Sequence, residues 1–210
     1  MPRLRLAVLL VLLCLAAPSA RGDTETRNFD IIRQGQTIGR LTQSLSTRPG
    51  GLTEIRIQVS VKVTVFAFTA YRFEQTETEI WEGDRLKSLV AESDDNGERH
   101  KVASELVQGK LRTTVDGQTS DYPEMPPASL WRPTLSSTTQ VLDPTDGKPT
   151  AISSTEAGWE TITVRGAPLR ARHIRWDGEL KRDLWYDASD ALVQSHLKGD
   201  DGSDVVYVLR

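Results

Sequence analysis

The chain has 210 residues, with 26 basic and 29 acidic side chains and a formal net charge of −3. A single domain with a substantial hydrophobic core is expected at this length. The basic residues form no stripe, which argues against a nucleic-acid partner, because phosphate binding requires clustered lysine and arginine.

The N-terminus has the layout of a secretory signal peptide. Arg3 and Arg5 precede an apolar run over residues 6–16, and small residues follow this run. The run is shorter than the roughly 18 to 20 residues needed to span a bilayer. We therefore predict a signal peptide over residues 1–20, cleavage near its end, and a single β domain over residues 21–210.

The only cysteine of the sequence, Cys14, would leave with this signal peptide. The mature chain would then fold without disulfides and carry 24 basic against 29 acidic residues, a net charge of −5. No later apolar run is long enough to form a transmembrane segment. This combination predicts a soluble protein exported to the bacterial periplasm.

The most regular pattern runs from Leu52 to Trp81. Apolar and polar residues alternate from Ile55 to Val65, as expected for a long strand with one face in water. Aromatic residues then fall on both faces, which predicts a bend or bulge between Phe66 and Ala70. Short strands separated by turn residues surround this segment and predict an antiparallel meander.

Residues 123–149 differ in kind, because six of the ten prolines lie there and exclude a central strand. We predict a cap or crossover with short helical turns at 128–131 and 136–142. Strands resume by Trp159 and continue to Leu209. The whole pattern predicts an all-β fold: a mainly antiparallel, strongly curved sheet, a half-barrel or open barrel of about ten strands, with a short helical, proline-rich cap.

No group of residues identifies a catalytic or metal site. His100, His173 and His196 stand alone in predicted strands, whereas metal ligands usually show local spacing. The mature chain has no thiol, and no Gly-x-Ser-x-Gly motif occurs. We therefore assign no catalytic residue, no metal ligand and no cofactor.

Two acidic patterns leave alternatives open. Glu77 and Glu79 share a strand face and could form a glycosidase-like carboxylate pair, but a solvated strand edge is the preferred interpretation. Residues 94–98 resemble the start of a calcium loop. With Glu92, Asp94 and Asn96 as the first three ligands, the twelfth position would be Ala103, which cannot ligate calcium, so the Asn-Gly pair predicts a hairpin turn instead.

Aromatic residues supply the candidate ligand site. Tyr71, Phe73 and Trp81 follow the long strand, and Trp131 lies in the proline-rich segment. Core packing accounts for such residues in most proteins, whereas an apolar pocket inside a curved sheet is the functional alternative. On that alternative, Trp131 belongs to a lid over a pocket lined by the other three.

Several short motifs carry a family resemblance: Gly35-x-x-Ile38-Gly39, Glu79-x-Trp81, Asn96-Gly97, Leu142-Asp143-Pro144-x-x-Gly147 and Trp185-Tyr186-Asp187. With them, the mature chain resembles a family of exported bacterial proteins catalogued as domain of unknown function six-one-three-four. The resemblance implies an all-β curved sheet and brings no activity, cofactor or site. Ala188 stands where the pattern suggests glycine. The predicted architecture is also distantly similar to the half-barrels of periplasmic lipoprotein carriers, which hold acyl chains on a concave face.

Three functions are compatible with these features. The first is a non-enzymatic periplasmic protein that binds an apolar or amphipathic molecule, such as an acyl chain, between the sheet and the proline-rich segment. The second is an interaction protein that docks an envelope partner, which a solid core would favour. The third is a hydrolase using Glu77 or Glu79, which requires both carboxylates to face a cleft.

Overall fold

The computed structural model describes residues 24–199 and 201–210, and the predicted signal peptide lies outside them. Fourteen strands and no helix make up this part of the chain. Their bounds are β1 Thr24–Arg33, β2 Gln36–Arg48, β3 Leu52–Val65, β4 Phe68–Glu82, β5 Arg85–Asp95, β6 Glu98–Val107, β7 Lys110–Val115, β8 Gln118–Pro123, β9 Gln140–Leu142, β10 Pro149–Val164, β11 Ala167–Gly178, β12 Arg182–Tyr186, β13 Leu192–Lys198 and β14 Asp204–Leu209.

All fourteen strands belong to one antiparallel sheet, in the order β8-β7-β6-β5-β4-β3-β2-β1-β14-β13-β12-β11-β10-β9. Two meanders meet in its middle, where Phe29 of β1 lies opposite Leu209 of β14. The outermost strands, β8 and β9, do not pair, so the sheet is not closed into a barrel. The predicted all-β, antiparallel fold is confirmed, with more strands than the ten expected.

The segment from Leu52 to Trp81 is a hairpin of two long strands. Phe66 and Ala67 form its two-residue turn, with φ angles of 48° and 68°. Such a turn favours the sequence Asn-Gly, because both of its residues adopt positive φ. Phe66 and Ala67 are not residues of this kind, so the sequence gave no turn signal here. A bulge is present, because the register of β3 and β4 shifts between Val63 and Thr64. The change of chain direction that the sequence suggested as a bend is the hairpin turn at Phe66 and Ala67.

Residues 124–148, here called the inner segment, connect β8 to β10, include the short strand β9 and pack against the inner face of the sheet. Buried residues of both sheet halves and of this segment belong to one hydrophobic cluster, so the sheet curves around it. The predicted helical turns do not form. Prolines interrupt the segment, and Leu130 has a positive φ of 62°, which a right-handed helix cannot contain.

Two contacts fix the inner segment near its C-terminal end. Ser93 Oγ of β5 donates a hydrogen bond to the carbonyl oxygen of Thr145 (2.7 Å). Gly147 packs so closely that a Cβ atom there would lie 2.4 Å from the Cγ2 atom of Val115, and its φ is 69°. Glycine is therefore required on both counts at this position.

Candidate functional site

A buried carboxylate connects the inner segment to β4. Glu79 Oε2 accepts hydrogen bonds from the indole nitrogen atoms of Trp81 (2.6 Å) and Trp131 (3.0 Å). The two rings pack edge to face, with centroids 5.6 Å apart. Glu79 has no exposed surface, so these two donors supply the hydrogen bonds that a buried carboxyl oxygen requires.

Arg132 covers this aromatic pair from the inner segment. Its guanidinium carbon lies 5.2 Å from the Trp81 ring centroid and 5.1 Å from that of Trp131. The guanidinium group also forms an ion pair with Asp84 and donates to the carbonyl oxygen of Gly83 (3.3 Å). Arg132 therefore joins the inner segment to the β4–β5 turn.

Glu77 and Glu79 form a buried carboxyl pair. The two residues are 3% and 0% exposed, so the preferred interpretation, a solvated strand edge, is wrong. β4 lies in the interior of the sheet, and both side chains point to the face that the inner segment covers. Burial raises the pKa of Glu77 well above its usual value, and the charge of Glu79 and a hydrogen bond to it act in the same direction.

A cleft of about 220 Å³ lies between the inner segment and the sheet, and Trp81 and Arg132 form part of its lining. Its apolar lining comes from Trp81, Leu86, Met125, Leu130, Leu135 and Trp176, and Asp84, Glu124 and Arg132 add charged groups. Two hydrogen-bonding residues hold its wall: Trp176 Nε1 donates to Thr134 Oγ1 (2.8 Å), and the Tyr186 hydroxyl bonds to the carbonyl oxygen of Leu130 (3.2 Å).

The structure brings only part of the candidate ligand set together. Trp81 and Trp131 are in contact, and Trp81 lines the cleft. Tyr71 and Phe73 are partly buried against the hydrophobic cluster, at the opposite end of β4. They lie ten and eight residues from Trp81, or about 33 and 26 Å along a strand, too far to line the same cleft.

Sequence reasoning missed Arg132 and Trp176 as site residues. A weak signal for Trp176 existed, because Trp81-Glu82-Gly83 is echoed by Trp176-Asp177-Gly178, and both tryptophans line the cleft. Arg132 carried no signal, because its role depends on contacts with Trp81 and Asp84, about fifty residues away.

A larger trough, of about 730 Å³, lies on the opposite, outer face of the sheet across β2 to β6. Its charged groups largely neutralise one another: Arg99 pairs with Asp94 and Lys101 with Glu92, each at 2.9 Å. Arg40, also in the lining, forms no ion pair with any described residue.

The histidines contact carboxylates rather than one another. His100 Nδ1 lies 2.7 Å from Asp116, His173 Nε2 2.7 Å from Asp183, and His196 Nε2 2.6 Å from Asp204. Within residues 24–199 and 201–210, no three histidine, cysteine or acidic side chains are arranged as metal ligands. The same part of the chain contains no helix with the length and hydrophobicity to cross a bilayer.

Fold and site together define a barrel-like antiparallel β protein whose interior is largely filled by its own connecting segment. The chain belongs to the family described as Domain of unknown function (DUF6134), which matches residues 29–210. It is also similar to a crystal structure described as a beta-barrel-like protein of Domain of Unknown Function DUF1849 from Brucella abortus.

That similarity has a TM-score of 0.63 at 9% sequence identity, and it covers 88% of this chain and 94% of the other. At such low identity the likeness establishes the fold alone. A comparison with curated proteins found no match.

Proposed function

We propose that the protein is a non-enzymatic binding protein of the bacterial periplasm, which holds the apolar part of an amphipathic molecule in the cleft beneath the inner segment. The observation that carries the proposal is the cleft of about 220 Å³ with its lining of tryptophan, leucine and methionine. Ligand sites are typically concave and apolar, with a few polar groups that orient the ligand. The signal-peptide pattern of residues 1–20 supports export.

The size of the cleft limits the ligand. Sites for drug-sized molecules usually measure about 300 to 1,000 Å³, so this cleft suits the end of an alkyl chain and not a complete lipid. Leu135 is 74% exposed and lines the cleft, which supplies apolar surface where the chain would leave it. The guanidinium group of Arg132, which also pairs with Asp84, lies at the same site and can donate to a polar head group.

Filling the cleft tests this function. Thr138 is half-buried and lines the cleft, whereas Thr139 is exposed and does not. We expect the wild type to bind a dansyl-labelled fatty acid that decanoate displaces. Thr138→Phe should weaken this binding about tenfold or more by occupying the cleft, and Thr139→Phe should not.

Fluorescence titration measures the binding, and a thermal melt of each variant verifies folding. Absence of binding by the wild type, or equal binding by both folded variants, would refute the proposal.

An interaction protein is the second candidate, favoured by one free strand edge. β9 covers only residues 149–151 of β10, and in the described chain no strand pairs with the outer edge of residues 153–164. Such an edge can accept a strand from a partner. The bulge between Glu156 and Gly158 distorts the edge, as in strands protected against pairing, so the cleft carries more weight.

The hydrolase hypothesis finds no support in the carboxyl pair. Glu77 and Glu79 are both buried, and Glu79 Oε2 is already bonded to two indole groups. A glycosidase needs both carboxyl groups beside a substrate and an attacking water molecule.

A further inference from the structure

The β3–β4 hairpin continues past its neighbours in the sheet. β2 pairs with β3 only as far as Val61, and β5 pairs with β4 only from Phe73. Residues 63–71, here called the ribbon, therefore pair only with each other in the sheet. The hairpin extends by roughly 16 Å from Val61 to the turn.

The tip of this ribbon is apolar and open to solvent. Phe66 is 93% exposed and Phe68 is 77% exposed, the highest values among the large hydrophobic residues of the described chain. Phe66 also adopts a positive φ of 48°, which is unfavourable for a bulky side chain. The exposure of the two phenylalanine side chains and the positive φ of Phe66 do not stabilise the fold, since an Asn-Gly turn would fit the same backbone better.

Basic residues surround the base of the ribbon. Lys62 and Arg72 are opposite each other across the hairpin, and Arg40 lies on the neighbouring strand, opposite Ser60. All three basic residues are exposed. Two acidic residues lie near Arg72 on this face: Glu74, which contacts it at 3.4 Å, and Asp94, which lies opposite Glu74 on β5. The distance from Lys62 to the turn corresponds to about 13 Å of strand.

We propose that the ribbon attaches the protein to the surface of a phospholipid bilayer, with Phe66 and Phe68 among the acyl chains near the interface and with Lys62 and Arg72 at anionic head groups. Aromatic side chains favour the membrane interface, and basic residues are attracted to anionic lipids. Apolar side chains at an interface insert by about 5 to 10 Å, so an offset of about 13 Å lets the tip reach this depth while the basic residues stay among the head groups.

A redesigned turn separates membrane binding from folding. The triple variant Phe66→Asn, Ala67→Gly, Phe68→Ser should fold at least as stably as the wild type, because Asn-Gly suits this turn. It should lose binding to vesicles of phosphatidylglycerol and phosphatidylcholine by about tenfold or more, because two aromatic anchors are removed. Val90→Ser, at a residue 55% exposed elsewhere on the sheet, is the matched control and should bind normally.

Cosedimentation with vesicles at several salt concentrations provides the measurement. Lys62→Gln with Arg72→Gln should reduce the preference for anionic over pure phosphatidylcholine vesicles, and Glu74→Gln should increase it. Absence of wild-type binding to both vesicle types would overturn the proposal and favour a protein pocket as the partner of the tip. Unchanged binding by the triple variant would overturn it as well.

Discussion

Glu77 makes stability depend on pH at the scale of a single residue. Its pKa is raised in the folded protein, so the folded state retains a proton that the unfolded chain releases above its ordinary pKa of about 4.5. The free energy of unfolding should therefore fall as pH rises through the interval between these two pKa values. One proton changes it by up to about 1.4 kcal/mol per pH unit.

Glu77→Gln removes this titration while preserving the shape of the side chain. The variant should match the wild type near pH 5 and be more stable at pH 8, as measured by denaturant unfolding at both values. Glu105→Gln is the control, because Glu105 is exposed and forms no ion pair with any described residue, and it should change the free energy of unfolding little at either pH. A variant no more stable than the wild type at pH 8 would contradict a buried proton on Glu77.

The Trp131 indole nitrogen offers a second single-group test. Trp131→Phe retains an aromatic ring but removes the donor to Glu79 Oε2. Removing a partner of a buried carboxyl oxygen should lower the free energy of unfolding by about 1 to 3 kcal/mol. Trp159→Phe, at a residue 45% exposed, should cost much less in the same denaturant titration. Similar losses for the two variants would argue against a role for the Glu79 contact.

At the scale of one element, β3 has a core face and a water face. Val61 is 6% exposed in the hydrophobic cluster, whereas its neighbour Lys62 is exposed. Val61→Asp should bury an unpaired carboxylate and lower the free energy of unfolding by several kcal/mol, whereas Lys62→Asp should have little effect. Denaturant titration compares the two variants, and equal losses would exclude this assignment of faces.

The alternation from Ile55 to Val65 was enough to predict the two faces of β3, because side chains of a strand alternate between faces. The turn at Phe66 and Ala67 was not predictable, because neither residue is a usual turn former. Sequence reasoning also placed Glu77 and Glu79 in water, since isolated charges rarely occur inside proteins. Trp81 donates to Glu79 from two residues away, but the second donor, Trp131, lies about fifty residues later in the sequence.

At the scale of the whole molecule, β4 connects the two proposed binding regions. Phe68 at its first residue belongs to the ribbon, and Trp81 near its last residue lines the cleft. The proline content correctly excluded the inner segment from the central sheet. The sequence could not show how completely this segment fills the curved face, because that depends on the final position of all fourteen strands.

The pairing of β1 with β14 has a consequence for biosynthesis. Strands β1 to β8 can pair hairpin by hairpin as the chain emerges N-terminus first into the compartment where it folds, but the second edge of β1 stays unpaired until residues 205–209 have emerged. Until then a nascent chain carries an open strand edge and an uncovered apolar face, both of which promote aggregation. The late arrival of its partner makes β1 a site where a holding chaperone would protect the unfinished protein.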